Sequence, residues 1–599
     1  MKRSHRYLTG KTGLPPMKKV TSCFGIVGLM LLASSELQAQ QQADKVAPEA
    51  ASQRTENQAV TANQFIVAAA NPYAVEAGYQ VLKEGGSAID AMVTVQTVLG
   101  LTEPQSSGLG GGAFMLYYNA RKQQLTTFDG RETAPLAATP ELFQDDQGKP
   151  LTFFDAVVGG RSVGTPGTVK LMAETHQRFG KLDWSRLLQP AKQLAEKGFT
   201  VSPRLAGAIA NDQARLSRYP DTRNYFFTQD GQPLPAGYRL TNKAYGETLG
   251  LLAEKGADAF YHGKIGKALV RKVQDLQDNP GLLTETDLQI YKIKERPAVC
   301  APYRGYEVCG MGPPSSGALT VGQILGIVES FDLKSLGADN PKSWQIIGDA
   351  SRLAFADRGR YMADTDFVPM PEGLLDRDYL KQRAAMIQPG TALVKAEAGA
   401  PQWHQPVALA DDISVELPST SHLVIVDREG NIVSMTTTIE NGFGSRVMTG
   451  GFLLNNELTD FSFASHKDGY PIANRLEPGK RPRSSMAPTL VMKAGKPYLA
   501  IGSPGGSRII GYVASALIAH LDWGMSLQQA ISKPHLINRF GTYDLEAGTA
   551  AEALKAPLQA MGFKVSVRDL NSGLHGVLFK EGKLIGAADP RREGAVMGD

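Results

Sequence analysis

From Ala396 to Pro418 the chain carries Pro, Ala and Asp in no periodic order, and at Ser419–Thr420 that stretch gives way to two β-rich runs, Ser421–Val426 and Ile432–Thr438. No other feature restricts the fold as much. A structureless segment of this length inside a compact protein calls for a functional reason. The two runs are joined by Asp427-Arg428-Glu429-Gly430-Asn431, a hairpin loop with Gly where a left-handed residue belongs. A hairpin centred on Glu429 sets Thr438 opposite Thr420, within one residue if a bulge intervenes. The residue at the junction is then held on a strand end, beside a second threonine. Taken alone, Thr420, Ser421, Thr436, Thr437 and Thr438 also fit a solvated strand pair.

Around this hairpin the periodicities alternate. Helices are expected over Pro72–Lys83 and Ala88–Leu101, separated by Gly85-Gly86, and a strand over Phe114–Tyr118. Beyond the hairpin come strands at Gly451–Leu454, Thr489–Met492 and Tyr498–Ile501, then a helix over Ile509–Leu521. Compact structure is expected to begin near Phe65, because Gln40 to Gln64 is Ala/Gln-rich, polar and disordered in character.

The first 39 residues read as a secretory signal: Lys18-Lys19, an apolar stretch from Phe24 to Ala33, and Leu37-Gln38-Ala39 as the cleavage site. Met17 is an alternative start. The apolar run is too short to span a bilayer as a helix, so no membrane span is expected, and the product is expected outside the inner membrane. Six of the 63 Lys and Arg but one of the 59 Asp and Glu fall in residues 1–39, so the remainder is near neutral. That balance argues against nucleic acid as a partner. Cys23 leaves with the signal. Cys300 and Cys309 flank a run that reads as a hairpin turning at Arg304-Gly305, which places the two opposite each other. A disulfide and a pair of reduced strand cysteines both fit.

Several short motifs fail on context. Gly108-Leu109-Gly110-Gly111-Gly112-Ala113 fits the glycine pattern of dinucleotide binding, but here a helix precedes it and a strand follows, the reverse of what that site needs. Gly160-Arg161-Ser162-Val163-Gly164 fits a serine-hydrolase elbow, yet Thr165-Pro166-Gly167 separates it from the next helix. The nine histidines show no metal-ligand spacing, and neither a metal nor a cofactor is expected.

The remaining motifs occur together and in order: Leu109-Gly110-Gly111-Gly112-Ala113, Asp129-Gly130-Arg131-Glu132-Thr133-Ala134-Pro135, Pro313-Pro314-Ser315-Ser316-Gly317, Ala356-Asp357-Arg358, Thr420-Ser421-His422, Leu454-Asn455-Asn456-Glu457, Asp460-Phe461-Ser462, Arg481-Pro482-Arg483-Ser484-Ser485 and Gly502-Ser503-Pro504-Gly505-Gly506-Ser507-Arg508. With them the chain resembles the gamma-glutamyltranspeptidases of the N-terminal nucleophile hydrolase superfamily, from Phe65 to Arg592. The resemblance implies an α+β fold, a four-layer αββα sandwich built from two fragments of one precursor. The fragments would be a large subunit (65–419) and a small catalytic subunit (420–599), associated as a heterodimer. It implies that Thr420 cuts the Ser419–Thr420 bond and then serves as the nucleophile, supported by Thr438.

The same resemblance makes Gly505 and Gly506 the oxyanion donors. It assigns Arg131, Ser484 and Ser485 to the α-carboxylate of a γ-glutamyl group, and Asp460, Glu457 and Glu440 to its ammonium. Glutathione and other γ-glutamyl compounds would be substrates, and water, amino acids or dipeptides the acceptors. Two departures bear on this. Relatives carry Asn where this chain has Glu440 and Gln where it has Glu457, and the segment Phe461–Arg483 is short, so Phe463–Pro478 is expected to form a partial lid. A glutaryl or cephalosporin acylase of the same family, and an unprocessed pseudoenzyme, are the alternatives.

Overall fold

The computed structural model describes residues 54–412, 414, 416 and 419–599; the expected signal segment and Cys23 lie outside them. In chain order the strands of its two large sheets are β1 (Val60–Ala62), β2 (Ile66–Ala69), β3 (Gly112–Asn119), β4 (Gln124–Gly130), β5 (Lys294–Arg296), β6 (Val299–Tyr303) and β7 (Tyr306–Gly310). They continue with β8 (Ser421–Val426), β9 (Ile432–Thr438), β10 (Thr489–Lys493), β11 (Lys496–Gly502), β12 (His575–Lys580), β13 (Lys583–Ala588) and β14 (Ala595–Gly598). One sheet runs β1-β13-β12-β11-β10-β7-β6 and the other β14-β2-β8-β9-β3-β4-β5. Each sheet interleaves strands from both sides of Thr420.

Alternation along the strands explains the layers. In the second sheet Val67, Met115, Leu423, Ile425, Val433 and Met435 face one way, into a core shared with helices α1 (Pro72–Lys83) and α2 (Ala88–Thr102). Their neighbours Ile66, Phe114, Leu116, Val424, Val426 and Ile432 face the other sheet and share a core with Leu499, Ile501 and Val577. The far side of that sheet is covered by α3 (Gly317–Val328), α4 (Pro341–Tyr361) and α5 (Ile509–Leu521). The result is helix, sheet, sheet, helix. Local signals set the first helices: Asn71 caps α1 with Pro72 in its first turn, and Ser87 with Asp90 forms a capping box on α2. All of α2 is buried, which is why it is apolar on every side.

The hairpin that begins at Ser421 has an unbroken register from Ser421–Thr437 to Val426–Ile432, so Thr420 lies opposite Thr438 as counted from the loop. The Cys300 hairpin likewise pairs Cys300 with Cys309 and Tyr303 with Tyr306, turning through left-handed Arg304 and Gly305. Its two cysteines are disulfide-bonded, with Cα atoms 4.0 Å apart.

One boundary needs correction. Part of the expected linker is ordered: Val60–Ala62 pairs with β13, and Asn57 Nδ2 donates to the Asp589 carbonyl at 3.1 Å. A three-residue edge strand is too short to show a period of two. Residues 396–412 form no helix or strand, as expected. They are nonetheless pinned: the Gly399 N–H donates to Asp357 at 2.8 Å, and the Ala410 N–H to the Pro471 carbonyl at 3.0 Å.

Candidate active site

The junction sits where the β8–β9 hairpin opens. Thr420 and Ser419 are buried, at 4 % and 1 % exposure, and the chain between them is uncut. Thr420 Oγ1 donates to the Ser419 carbonyl at 2.6 Å, and Thr438 Oγ1 donates to the same oxygen at 3.0 Å. The Thr438 oxygen in turn accepts from the Glu440 N–H at 2.8 Å. The flanks are fixed from elsewhere in the fold. Ser419 Oγ donates to the Gln105 carbonyl just beyond α2 at 2.6 Å, and Arg592 donates to the Thr420 carbonyl at 3.0 Å. The peptide carbonyl at the junction is therefore polarised by two hydroxyls, one of them from Thr420 itself. Glu440 has φ +74, a left-handed conformation that costs a non-glycine residue on the order of 1–3 kcal/mol unless its surroundings hold it. Here Thr438 holds its N–H, and Asn456 Nδ2 holds its carboxylate.

Beside the junction lies a cluster of buried charge. Arg131 follows β4, with its N–H held by Asp129 at 2.9 Å. Its guanidinium donates to Glu457, to Asp460 at 2.5 Å, and to the carbonyls of Pro482 and Arg483 at 3.1 and 2.9 Å. Glu457 and Asp460 are presented by one short turn, Glu457–Asp460. Asn455 seats that turn by bonding the carbonyls of Gly110 and Gly164. This is where the glycine motif enters: a Cβ on Gly110 would sit 2.2 Å from the Leu453 carbonyl oxygen, so only glycine lets the two backbones meet. Glu132 is buried behind Arg131.

The charges do not balance. One guanidinium faces Glu132, Glu457 and Asp460. Burial holds the Asp460 and Glu457 carboxyls well above the usual range, with Arg131 offsetting this only in part, and pushes Glu132 up to about 8. Asp460 Oδ1 is buried and accepts no hydrogen bond among the described residues. A buried carboxyl oxygen without a partner, in a cluster with more acids than bases, is chemically able to accept from a cationic group.

A cavity of about 20 Å³ joins these groups, lined by Thr420, Thr438, Glu440, Asp460, Ser485 and Gly506, with Arg131, Glu457 and Ser484 also on its wall. Gly505 and Gly506 form the turn between β11 and α5, at φ +136 and +58. At Gly505 a Cβ would also meet the Tyr512 ring at 2.8 Å. Of the residues expected at the site, Thr420, Thr438, Glu440, Glu457, Asp460, Arg131, Ser484, Ser485 and Gly506 are thus brought together. Gly505 stands one residue back.

Two of these groups are engaged by other protein groups. The Arg131 fork, expected to face a substrate carboxylate, is taken up by Glu457, Asp460 and two carbonyls, because Glu457 is an acid that can hold it. Ser485 Oγ does face a carboxylate, but that of Glu416, which Arg358 also holds. Glu416 was invisible in sequence because it lies in the aperiodic segment. Arg358 lay inside a recognised motif, with no signal for its role. In the segment Phe463–Pro478, His466–Lys467 pairs with Tyr470–Pro471 and Phe463 stacks on Phe143 at 4.8 Å.

Comparison with known proteins decides the family. The family model for gamma-glutamyltranspeptidase matches residues 74–599. The chain belongs to the gamma-glutamyltranspeptidase family. It is 39% identical over 547 residues to a glutathione hydrolase proenzyme of Bacillus subtilis (strain 168), covering 89% of this chain and 91% of that one. To the glutathione hydrolase proenzyme of Escherichia coli (strain K12) it is 37% identical over 546 residues, with the same coverage of 89% and 91%. A solved cephalosporin acylase from Bacillus halodurans superposes with a TM-score of 0.80 at 25% identity, covering 91% of this chain and 97% of its own. The two-sheet sandwich is that of the family, and this member is an enzyme of the gamma-glutamyltranspeptidase and glutathione hydrolase class. Among the described residues no helix is long and apolar enough to cross a membrane.

Proposed function

We propose that this gamma-glutamyltranspeptidase cuts itself between Ser419 and Thr420 and then moves the γ-glutamyl group of glutathione and related compounds to water or to an amino-acid or dipeptide amine. The observation that carries the reading is the junction geometry. Thr420 Oγ lies against its own preceding carbonyl, whose oxygen accepts from Thr438. In the first reaction Thr420 Oγ attacks the Ser419 carbonyl carbon, and the oxygen gains charge in the reach of Thr438. The C–N bond breaks, the nitrogen takes the hydroxyl proton, and an ester remains that water hydrolyses. Thr420 is left with a free amine.

That amine solves the activation problem. A threonine hydroxyl needs an adjacent base, and an α-amino group with a reference pKa of about 7.7–8.0 is suited to the task near neutrality. It takes the Oγ proton as Oγ attacks the γ-carbonyl. The Gly505-Gly506 turn offers backbone N–H groups to the oxyanion. The proton then goes to the leaving amine, and the γ-glutamyl ester passes to water or an acceptor. Asp460, with Glu457 and Glu440 near it, receives the α-ammonium; the serines at 484 and 485 receive the α-carboxylate. The proenzyme relatives support a processed heterodimer. The amino-terminal signal pattern supports a product in the periplasm or outside the cell.

The test is the alanine variant. Thr420→Ala should leave one uncut, inactive chain, and Thr420→Ser should be cut and turn over more slowly. The wild-type small fragment should run from Thr420 to Asp599. A Thr420→Ala chain that is still cut there would assign the cut to another protease.

A further inference from the structure

A second cavity lies where the amino end of α4 meets the chain leaving the short helix Leu527–Ser532. Its volume is about 430 Å³, against about 20 Å³ beside Thr420, and no residue lines both. Met525, Leu536, Leu554 and Trp344 give it apolar walls. Two charged side chains line it as well, the partly buried Lys533 and the exposed Asp339, and neither forms an ion pair among the described residues. Lys533 Nζ packs on the Trp344 ring, 3.8 Å from its centroid, and stands 5.6 Å from that of Trp523. Its one hydrogen bond among the described residues goes to the Pro534 carbonyl at 3.2 Å, which leaves two of three donors unused. Arg591 donates to the Lys533 carbonyl at 2.8 Å and is itself paired with Glu546 and Asp589. Burial, then Arg591, push the Lys533 ammonium down to about 7, against the pull of Asp339 and Glu546. His535, two residues on, is held by burial well below the usual imidazole range.

We propose that this cavity binds an amino acid with an apolar side chain: Lys533 takes its carboxylate, Asp339 its ammonium, and Met525, Leu536 and Leu554 its side chain. One base and one acid on an otherwise apolar wall match a zwitterion better than an anion or a cation alone. A cation set among aromatic rings without a carboxylate is costly to keep dry, and an incoming carboxylate supplies the missing pair. The volume suits the task, since small-molecule pockets run from about 300 to 1,000 Å³. The site shares no residue with the one at Thr420. The class of molecule proposed there as an acceptor is thus held here without being consumed.

The test is a calorimetric titration of L-phenylalanine into the full chain carrying Thr420→Ala. The uncut chain leaves about 20 Å³ at the catalytic cavity, room for about one water, so that cavity cannot take the ligand. One molecule should bind per chain, with a Kd of about 1 mM or tighter. Adding Lys533→Met, which keeps an apolar stem against Trp344, should weaken binding at least about tenfold; Asp339→Asn should weaken it less, because that group is exposed. Phenethylamine, which lacks the carboxylate, should not bind. The affinity for L-phenylalanine should also fall about tenfold from about pH 6 to about pH 8, as the charged fraction of Lys533 falls while the ligand stays a zwitterion. No saturable binding up to about 20 mM, equal binding to the Lys533→Met chain, or the same affinity at both pH values overturns the proposal. The pH comparison needs no change at Lys533, so it decides even where Lys533→Met does not melt cooperatively.

Discussion

Replacing Asp460 by Asn removes one charge and little else. Asp460 Oδ2 accepts from Arg131 at 2.5 Å, while Oδ1 is buried without a partner. The guanidinium fixes which end of an asparagine amide turns where: oxygen to Arg131, and NH₂ to the position of Oδ1. A donor then meets the substrate ammonium where an acceptor stood. A unit charge pair about 3 Å apart at an effective dielectric of about 20 is worth roughly 5 kcal/mol before desolvation. Losing one partner of such a pair in a dry interface costs about 2–5 kcal/mol. At about 1.4 kcal/mol per tenfold, a loss of about 2–4 kcal/mol predicts a fall of about 30- to 700-fold in kcat/KM for γ-glutamyl-p-nitroanilide. Self-cleavage should proceed, since Asp460 makes no hydrogen bond to Ser419, Thr420 or Thr438. The decisive control is glutaryl-p-nitroanilide, which has no ammonium; its kcat/KM should not fall with the charge, so the preference between the two anilides should shift toward glutaryl. Unchanged kinetics on the γ-glutamyl substrate, or a parallel loss on both, would refute the ammonium assignment. The same ratio in the wild type separates a transpeptidase from a glutaryl acylase.

Four further outcomes are expected. Thr438→Val should slow self-cleavage about 100-fold or more, the usual cost of one lost oxyanion donor, while Thr438→Ser keeps most of the rate; timed mass analysis of the purified chain reads both. Burial pushes the Glu132 carboxyl up to about 8 from 4.5, so the folded state binds its proton more tightly than the unfolded chain does. The stability this gives is fully present below about 4.5 and is lost as pH rises through about 8. Glu132→Gln should therefore gain in Tm relative to wild type on going from about pH 5 to about pH 8.5, and a constant difference would contradict the assignment. Replacing Cys300 and Cys309 together by Ser should cost about 2–3 kcal/mol on unfolding, from the short loop they close, and leave kcat/KM unchanged. Because both cysteines precede Thr420, the two fragments should separate on a denaturing gel without reductant.

What could be read in the sequence was whatever one element encodes by itself. The Ser421 hairpin declared its register because its loop and two β-rich runs are contiguous, and that register alone put Thr438 beside Thr420. The Cys300 hairpin did the same for its cysteines. What escaped was contact between distant segments. Glu416 meets Arg358 58 residues away and Ser485 69 away, and nothing in an aperiodic run announces such partners. Arg131 lines the cavity with Thr420, but its occupancy by Glu457 and Asp460 depends on how a turn more than 300 residues later comes to rest. The edge strand at Val60–Ala62 was hidden because its partner, β13, lies at the other end of the chain.

The interleaving of strands has a consequence for how such an enzyme can be made. In one sheet β8 and β9 are inserted between β2 and β3, and β14 closes the edge beside β2. Each large sheet draws strands from both sides of Thr420, so neither part can complete either sheet by itself. While the chain is whole, every pairing is intramolecular, at the effective concentration that a covalent tether supplies. Cleavage of the kind proposed would remove the tether after it has done its work. From then on, a fragment that unfolds has lost the neighbour that templated it, and return becomes a second-order search competing with aggregation. Recovery of the cut enzyme after heating should consequently fall on dilution, whereas the uncut chain should refold at any concentration low enough to avoid aggregation.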